Sequence, residues 1–146
     1  AAMLTRAYLT YLALGIDVYC WYEFRDGGLK PEYNEHNFGM VDFHVTPKPA
    51  YHAMKAMTRL LGKSPSFDGP PLPVGDGLMR VDVTATDGRR YAAFWAEGGS
   101  DTLRLDPVHT RRVVSHLGMS VKPTVDSGRH FVTLGLAPVF VERTPD

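Results

Sequence analysis

Gly15-Ile-Asp-Val-Tyr-Cys-Trp-Tyr-Glu-Phe-Arg-Asp-Gly-Gly28 is nearly continuous in apolar, β-branched and aromatic residues through Phe24, then turns abruptly to charge and glycine. Residues 16–24 therefore read as a strand buried on both faces, as in a parallel sheet. Ile16, Val18, Cys20 and Tyr22 alternate with Asp17, Tyr19, Trp21 and Glu23, and the second face grows more polar toward the strand end.

Working outward, residues 1–14 place Leu4, Ala7, Tyr8, Tyr11 and Leu12 at helical spacing and stop at Gly15. No Ser, Thr, Asp or Asn precedes this helix as a cap, so its start is expected upstream of Ala1. After the strand, residues 25–46 carry charges, Gly27 and Gly28 and little periodicity, the marks of a long loop. Thr46-Pro-Lys-Pro49 then opens a second amphipathic helix, with Ala50, Ala53, Met54, Met57, Leu60 and Leu61 on one face and Gly62 as its stop. Helix, strand, loop, helix is the grammar of an α/β barrel or a doubly wound sheet.

Residues 63–77 change character, with Pro65, Pro70, Pro71 and Pro73 among Gly69, Gly75 and Gly77, and read as a linker. Beyond it the period becomes strand-like: residues 78–85, an Asp87-Gly88 hairpin turn, and residues 90–96. Shorter strands are expected at 102–105, 111–115, 120–125, 131–134 and 139–142, so residues 78–146 are expected to form an antiparallel β-sandwich.

Composition removes several function classes. Sixteen basic and sixteen acidic residues cancel among 146, and no basic run interleaves with aromatics, so nucleic acid is not an expected partner. Gly15 and Asp17 interrupt the longest apolar run well short of the roughly 20 residues needed to span a bilayer, so no membrane is expected either. No signal peptide is visible, and the compartment stays open. The single cysteine, Cys20, excludes an internal disulfide and reads as a small buried hydrophobe.

Together with Glu35-His-Asn-Phe-Gly-Met-Val41 and Thr46-Pro-Lys-Pro-Ala-Tyr51, the opening string resembles the final βα unit of clan A glycoside hydrolases, with the closest likeness to cellulase-like and β-xylosidase or iduronidase-like families. The ending Leu136-Ala-Pro-Val-Phe-Val-Glu142 is similar to the closing strand of the β-sandwich that many of these enzymes append. The resemblance implies a mixed fold, α/β plus all-β. Residues 1–62 would be the last βα unit of a TIM (β/α)8 barrel (helix 7, strand 8 and helix 8), and a small antiparallel β-sandwich would follow the linker.

A complete barrel of this kind needs about 250 residues. The family's acid/base and nucleophilic glutamates end the fourth and seventh strands, upstream of anything in this chain. Retaining hydrolysis needs two carboxyls about 5 to 5.5 Å apart, and no residue here matches either motif. The chain alone is therefore expected to be inactive. The rest of the barrel is expected as another chain or as missing upstream sequence, with an oligo- or polysaccharide as substrate and no cofactor. A non-catalytic carbohydrate-binding or interaction module is the alternative, and a pseudoenzyme a third.

Trp21 is the leading site candidate, since an aromatic at the carboxyl end of a barrel strand can stack on a pyranose while its indole N–H donates a hydrogen bond. Its competing reading is a core tryptophan. Glu23, on the same face, either accepts from sugar hydroxyls or pairs with Arg25 or another loop cation. Its reading as a catalytic pair with Asp26 would require the chemistry to have moved to one strand. Asn37 and Phe38 border the expected cleft, although Asn before an aromatic and Gly39 is also ordinary turn chemistry. His36, His44 and His52 match no metal spacing. Tyr91, Phe94 and Trp95 offer either a sugar-binding face or, as adjacent strand residues more often do, a core.

Overall fold

The computed structural model describes residues 1–75 and 77–144, so Asp76 of the expected linker and Pro145 and Asp146 of the expected sandwich lie outside the described residues. Two helices lead the chain: α1 (Ala2–Ala13) and α2 (Pro49–Leu61), with a single 3₁₀ turn (Asn34–His36) in the loop between them. Among the described residues nine strands follow: β1 (Ser66–Phe67), β2 (Leu72–Pro73), β3 (Leu78–Thr84), β4 (Arg90–Ala96), β5 (Asp101–Leu105), β6 (Thr110–Ser115), β7 (Thr124–Asp126), β8 (Arg129–Leu134) and β9 (Val139–Arg143). Every strand pairing is antiparallel. The larger sheet runs β1-β3-β4-β9-β6, with β2 also on β3, and the smaller runs β5-β8-β7.

Alternation along β4 builds two cores at once. Tyr91, Ala93 and Trp95 meet Leu9 and Ala13 of α1 and Met57, Leu60 and Leu61 of α2. Ala92, Phe94 and Ala96 face the smaller sheet, against Leu105, Val132 and Leu134. The strand beside it does the same, with Phe140 on the helix side and Val139 and Val141 on the other. The result is three layers: helices, larger sheet, smaller sheet. Burying each large apolar side chain contributes about 1.5 to 3 kcal/mol, so both layers hold the central sheet. Tyr91, Phe94 and Trp95 are core residues and present no open aromatic face.

The two halves of the chain are stapled where α2 ends. Gly62 takes a φ of 80°, which favours glycine, and a Cβ there would lie 2.5 Å from the Thr86 hydroxyl. Thr86, in the β3–β4 turn, donates its amide and its hydroxyl to the Leu61 carbonyl, at 2.9 and 3.2 Å, satisfying an end of the helix. Within residues 63–77, expected as a linker, β1 and β2 pair along one edge of β3.

Residues 16–24 depart from expectation. They form no strand, and the chain bends at Asp17, Tyr22 and Phe24. Val18 is 76% and Tyr22 70% exposed. The cause is pairing, not propensity: a parallel strand needs a neighbour along its edges, and among the described residues only the end of this segment finds one. Met40 donates to the Glu23 carbonyl (3.0 Å), Val41 to Phe24 (2.9 Å), and Asp26 to Val41 (3.0 Å). Cys20, expected to be buried, is exposed for the same reason. The strand expected at 120–125 is shortened to β7 because Pro123 has no amide to give the ladder; Ser120 forms a separate bridge to Val114. Among the described residues no helix is long and apolar enough to cross a membrane.

Candidate functional site

Tyr19 lays residues 16–24 against α1, its ring 4.9 Å from that of Tyr8 and 4.7 Å from that of Tyr11. This anchors the start of the segment and carries Trp21 and Glu23 toward the loop at residues 25–46. The Tyr22–Glu23 peptide bond is cis. Trp21 is half-buried, and its indole N–H donates to the Phe38 carbonyl at 3.2 Å. The N–H is thus engaged within the chain.

Glu23 is held by its backbone between Phe38 and Met40. Its side-chain Oε1 is buried and has no hydrogen-bond partner. No ion pair joins it to Arg25 among the described residues; the Arg25 guanidinium instead lies 5.3 Å from the Phe43 ring centroid. A buried carboxylate oxygen without a donor is costly, and such atoms are normally satisfied.

Asp26 is committed elsewhere. It is 7% exposed, and its Oδ1 accepts from the Gly39 amide at 2.7 Å and from Lys48 Nζ at 2.8 Å. Lys48 Nζ also reaches the Asn37 carbonyl at 2.9 Å. With a cation and an amide on it, Asp26 has little capacity left as nucleophile or proton donor, which removes the physical basis for a Glu23–Asp26 pair. Gly39 is required by this clasp, since a Cβ would fall 2.3 Å from the Asp26 amide nitrogen.

Asn37 behaves as a loop organiser. Its Nδ2 donates toward the carbonyls of Tyr33 (2.9 Å), Pro31 (3.1 Å) and Lys30 (3.3 Å). His36 closes the same loop, its Nδ1 accepting from the Lys30 amide at 3.2 Å while its ring lies where a side chain on Gly28 would be. Asp42 takes the amides of His44 and Thr46, and the Thr46 bond above all holds its carboxyl below the usual range. Among the described residues no group of three His, Cys, Asp or Glu converges as a metal site would require.

The structure thus brings Trp21, Glu23 and Asn37 to one loop system, with Phe38 linking Trp21 and Glu23 through its carbonyl. Reading the residues alone missed the Asp26–Lys48 pair. A signal was available: Lys48 is the N-cap of α2, where a cation opposes the helix dipole and needs an anion beside it.

No protein-family model matches the chain, and no curated protein does. Among solved structures, the chain is similar to a family 39 glycoside hydrolase from the gut symbiont Bacteroides cellulosilyticus WH2, with a TM-score of 0.75 and 27% identity over 98% of this chain and 30% of that one. It also shares a fold with the catalytic domain of GH30 xylanase C from Talaromyces cellulolyticus, at a TM-score of 0.52 and 14% identity over 74% of this chain and 28% of that one. The chain spans less than a third of either neighbour. These similarities support a glycoside-hydrolase-related domain.

Proposed function

We propose that this chain is the carboxyl-terminal part of a retaining glycoside hydrolase. In this reading residues 1–62 complete a (β/α)8 barrel, residues 63–77 cross to the sheets, and residues 78–146 form the accessory sandwich. The catalytic glutamates lie upstream. Trp21 and Glu23 form a wall of the substrate cleft: the indole face carries the apolar side of a sugar ring, and the Glu23 carboxylate accepts from its hydroxyls. Asn37 shapes the loop that borders them.

The observation that carries this reading is residues 16–24. An apolar, β-prone segment that lays Tyr19 on α1, exposes Ile16, Val18 and Tyr22 and finds backbone partners at its Glu23–Phe24 end is what one barrel strand resembles without its neighbours. The likeness to a family 39 enzyme over nearly the whole of this chain supports it. The alternative of a carbohydrate-binding sandwich is weakened, because Tyr91, Phe94 and Trp95 are spent on the cores.

The test is kinetic. In the full-length protein, Trp21→Ala lowers kcat/KM on aryl glycosides by roughly tenfold to a hundredfold, the loss of one stacked ring, while the melting temperature stays within a few degrees. Proton NMR of the released sugar shows retained anomeric configuration. Undiminished turnover by the variant, or inverted product, sinks the corresponding part of the proposal.

A further inference from the structure

His52, Lys55 and Arg59 lie at i, i+3 and i+7 on α2, a helix that contains no acidic residue. Lys55 and Arg59 are exposed. Lys55 sits 6.0 Å over the Tyr51 ring, and neither cation has a carboxylate partner among the described residues. Like charges four residues apart destabilise a helix, so this arrangement works against the fold. Facing them are Arg89 from the β3–β4 turn and Arg112 from β6, across a half-open cleft of about 350 Å³.

The cleft is built rather than incidental. Its floor is apolar, with Ala56 and Leu60 of α2 buried beneath it. Gly118, at a φ of 82°, brings the turn after β6 so close to α2 that a Cβ would lie 3.2 Å from that of Ala56. The negative charge nearby falls short of the positive. Asp87 pairs with Arg89 at 2.6 Å. Glu142, 2% exposed, is shared between Arg112 and Arg111, the latter at 3.3 Å, with Arg89 at 3.9 Å and the Tyr91 hydroxyl donating at 3.2 Å. One carboxylate cannot neutralise three guanidiniums, and nothing compensates Lys55 and Arg59. Cations gathered over a low-dielectric floor raise the local concentration of anions, and arginine presents paired N–H donors to an oxyanion.

We propose that this cleft binds a small ligand bearing an oxyanion, either a sugar acid or a sulfate or phosphate ester. Its carbon skeleton lies over Ala56 and Leu60, and its charged group is held by Lys55 and Arg59 with Arg89 and Arg112 behind. The site shares no residue with the loop that carries Trp21, so it stands or falls apart from the reading of that loop. The volume suits one to two sugar-sized units.

Calorimetric titration of the full-length protein at low ionic strength tests it, using D-glucuronate, inorganic sulfate and inorganic phosphate as probes and D-glucose as the neutral control. At least one anion binds, glucose does not, and affinity falls as salt is added. Glucuronate alone would identify a sugar acid, whereas sulfate or phosphate alone would identify an ester. In the double variant Lys55→Gln/Arg59→Gln the affinity drops about tenfold or more. The variant's melting temperature is unchanged or slightly raised, since two unpaired like charges are gone. Absence of binding by all three anions, equal binding of glucose, or full affinity in the double variant overturns the proposal.

Discussion

Lys48 carries more of the loop's geometry than its place between two prolines implies. Its ammonium holds the Asp26 carboxylate and the Asn37 carbonyl together, so one side chain fixes both ends of the segment that borders Trp21 and Glu23. Removing the cation leaves Asp26 buried with one amide for support. Lys48→Met is therefore expected to cost about 2 to 3 kcal/mol, below the usual 3 to 5 for a buried pair because the Lys48 side chain is 29% exposed. Differential scanning calorimetry and protease sensitivity of residues 25–46 check this; a variant as stable and as resistant as the parent refutes it. Val45 is under local tension, a β-branched side chain at a φ of 68° in the turn organised by Asp42. Asparagine tolerates that conformation far better. Val45→Asn should raise stability by up to about 1 kcal/mol, seen as a higher urea midpoint with an unchanged m-value; a lower midpoint would show that the turn prefers valine's bulk.

Among the elements, β4 and β9 are the hinge of the architecture, since each feeds both cores. Phe140 is fully buried between the helices and the sheet. Phe140→Ala should cost about 3 to 5 kcal/mol, and helical and aromatic circular dichroism should then be lost together, because α1 and α2 share that core with the sheet. Separate transitions would show that helices and sheets are held independently. The elements also show what the sequence makes legible. The 3.6-residue period of α2, its proline start and its Gly62 stop, and the alternation of β3 and β4 around Asp87-Gly88 are local signals, and the structure carries them to within a residue or two. Pairing is not local. Residues 16–24 have the propensity of a strand, but propensity supplies no neighbour. Residues 63–77 have the composition of a linker, but their backbone finds the edge of β3. In the loop system, alternation along residues 16–24 puts Trp21 and Glu23 on one face in the sequence. The engagement of the Trp21 N–H by Phe38 and the clasp by Lys48 were not legible there, because both depend on how a long loop folds back.

Across the whole molecule, charge is balanced in sum and uneven in place, and pH should report on the difference. His116 is partly buried, and desolvation lowers its pKa. The unfolded imidazole, with its ordinary pKa of about 6.5, then holds a proton more readily than the folded one. Stability from this group is present above that value and declines as pH falls below it. At the alkaline end Tyr91 is raised, chiefly by desolvation. Stability from its neutral phenol is present below about 10, the unfolded value, and is lost as pH rises beyond it. Melting temperature should therefore be flat near neutrality and fall on both sides. His116→Gln should flatten the acid limb between about pH 6.5 and 5, and an identical limb in the variant would place the cause in other groups. The strand order adds a constraint of timing. β9 is the last strand of the described chain, yet it lies inside the larger sheet between β4 and β6. On a ribosome, β4 emerges some forty residues before the strand that covers its edge, which at roughly 5 to 20 residues per second leaves that edge open for seconds during every round of synthesis. That interval is when the nascent protein is most open to mispairing with another chain, and when a chaperone would find it.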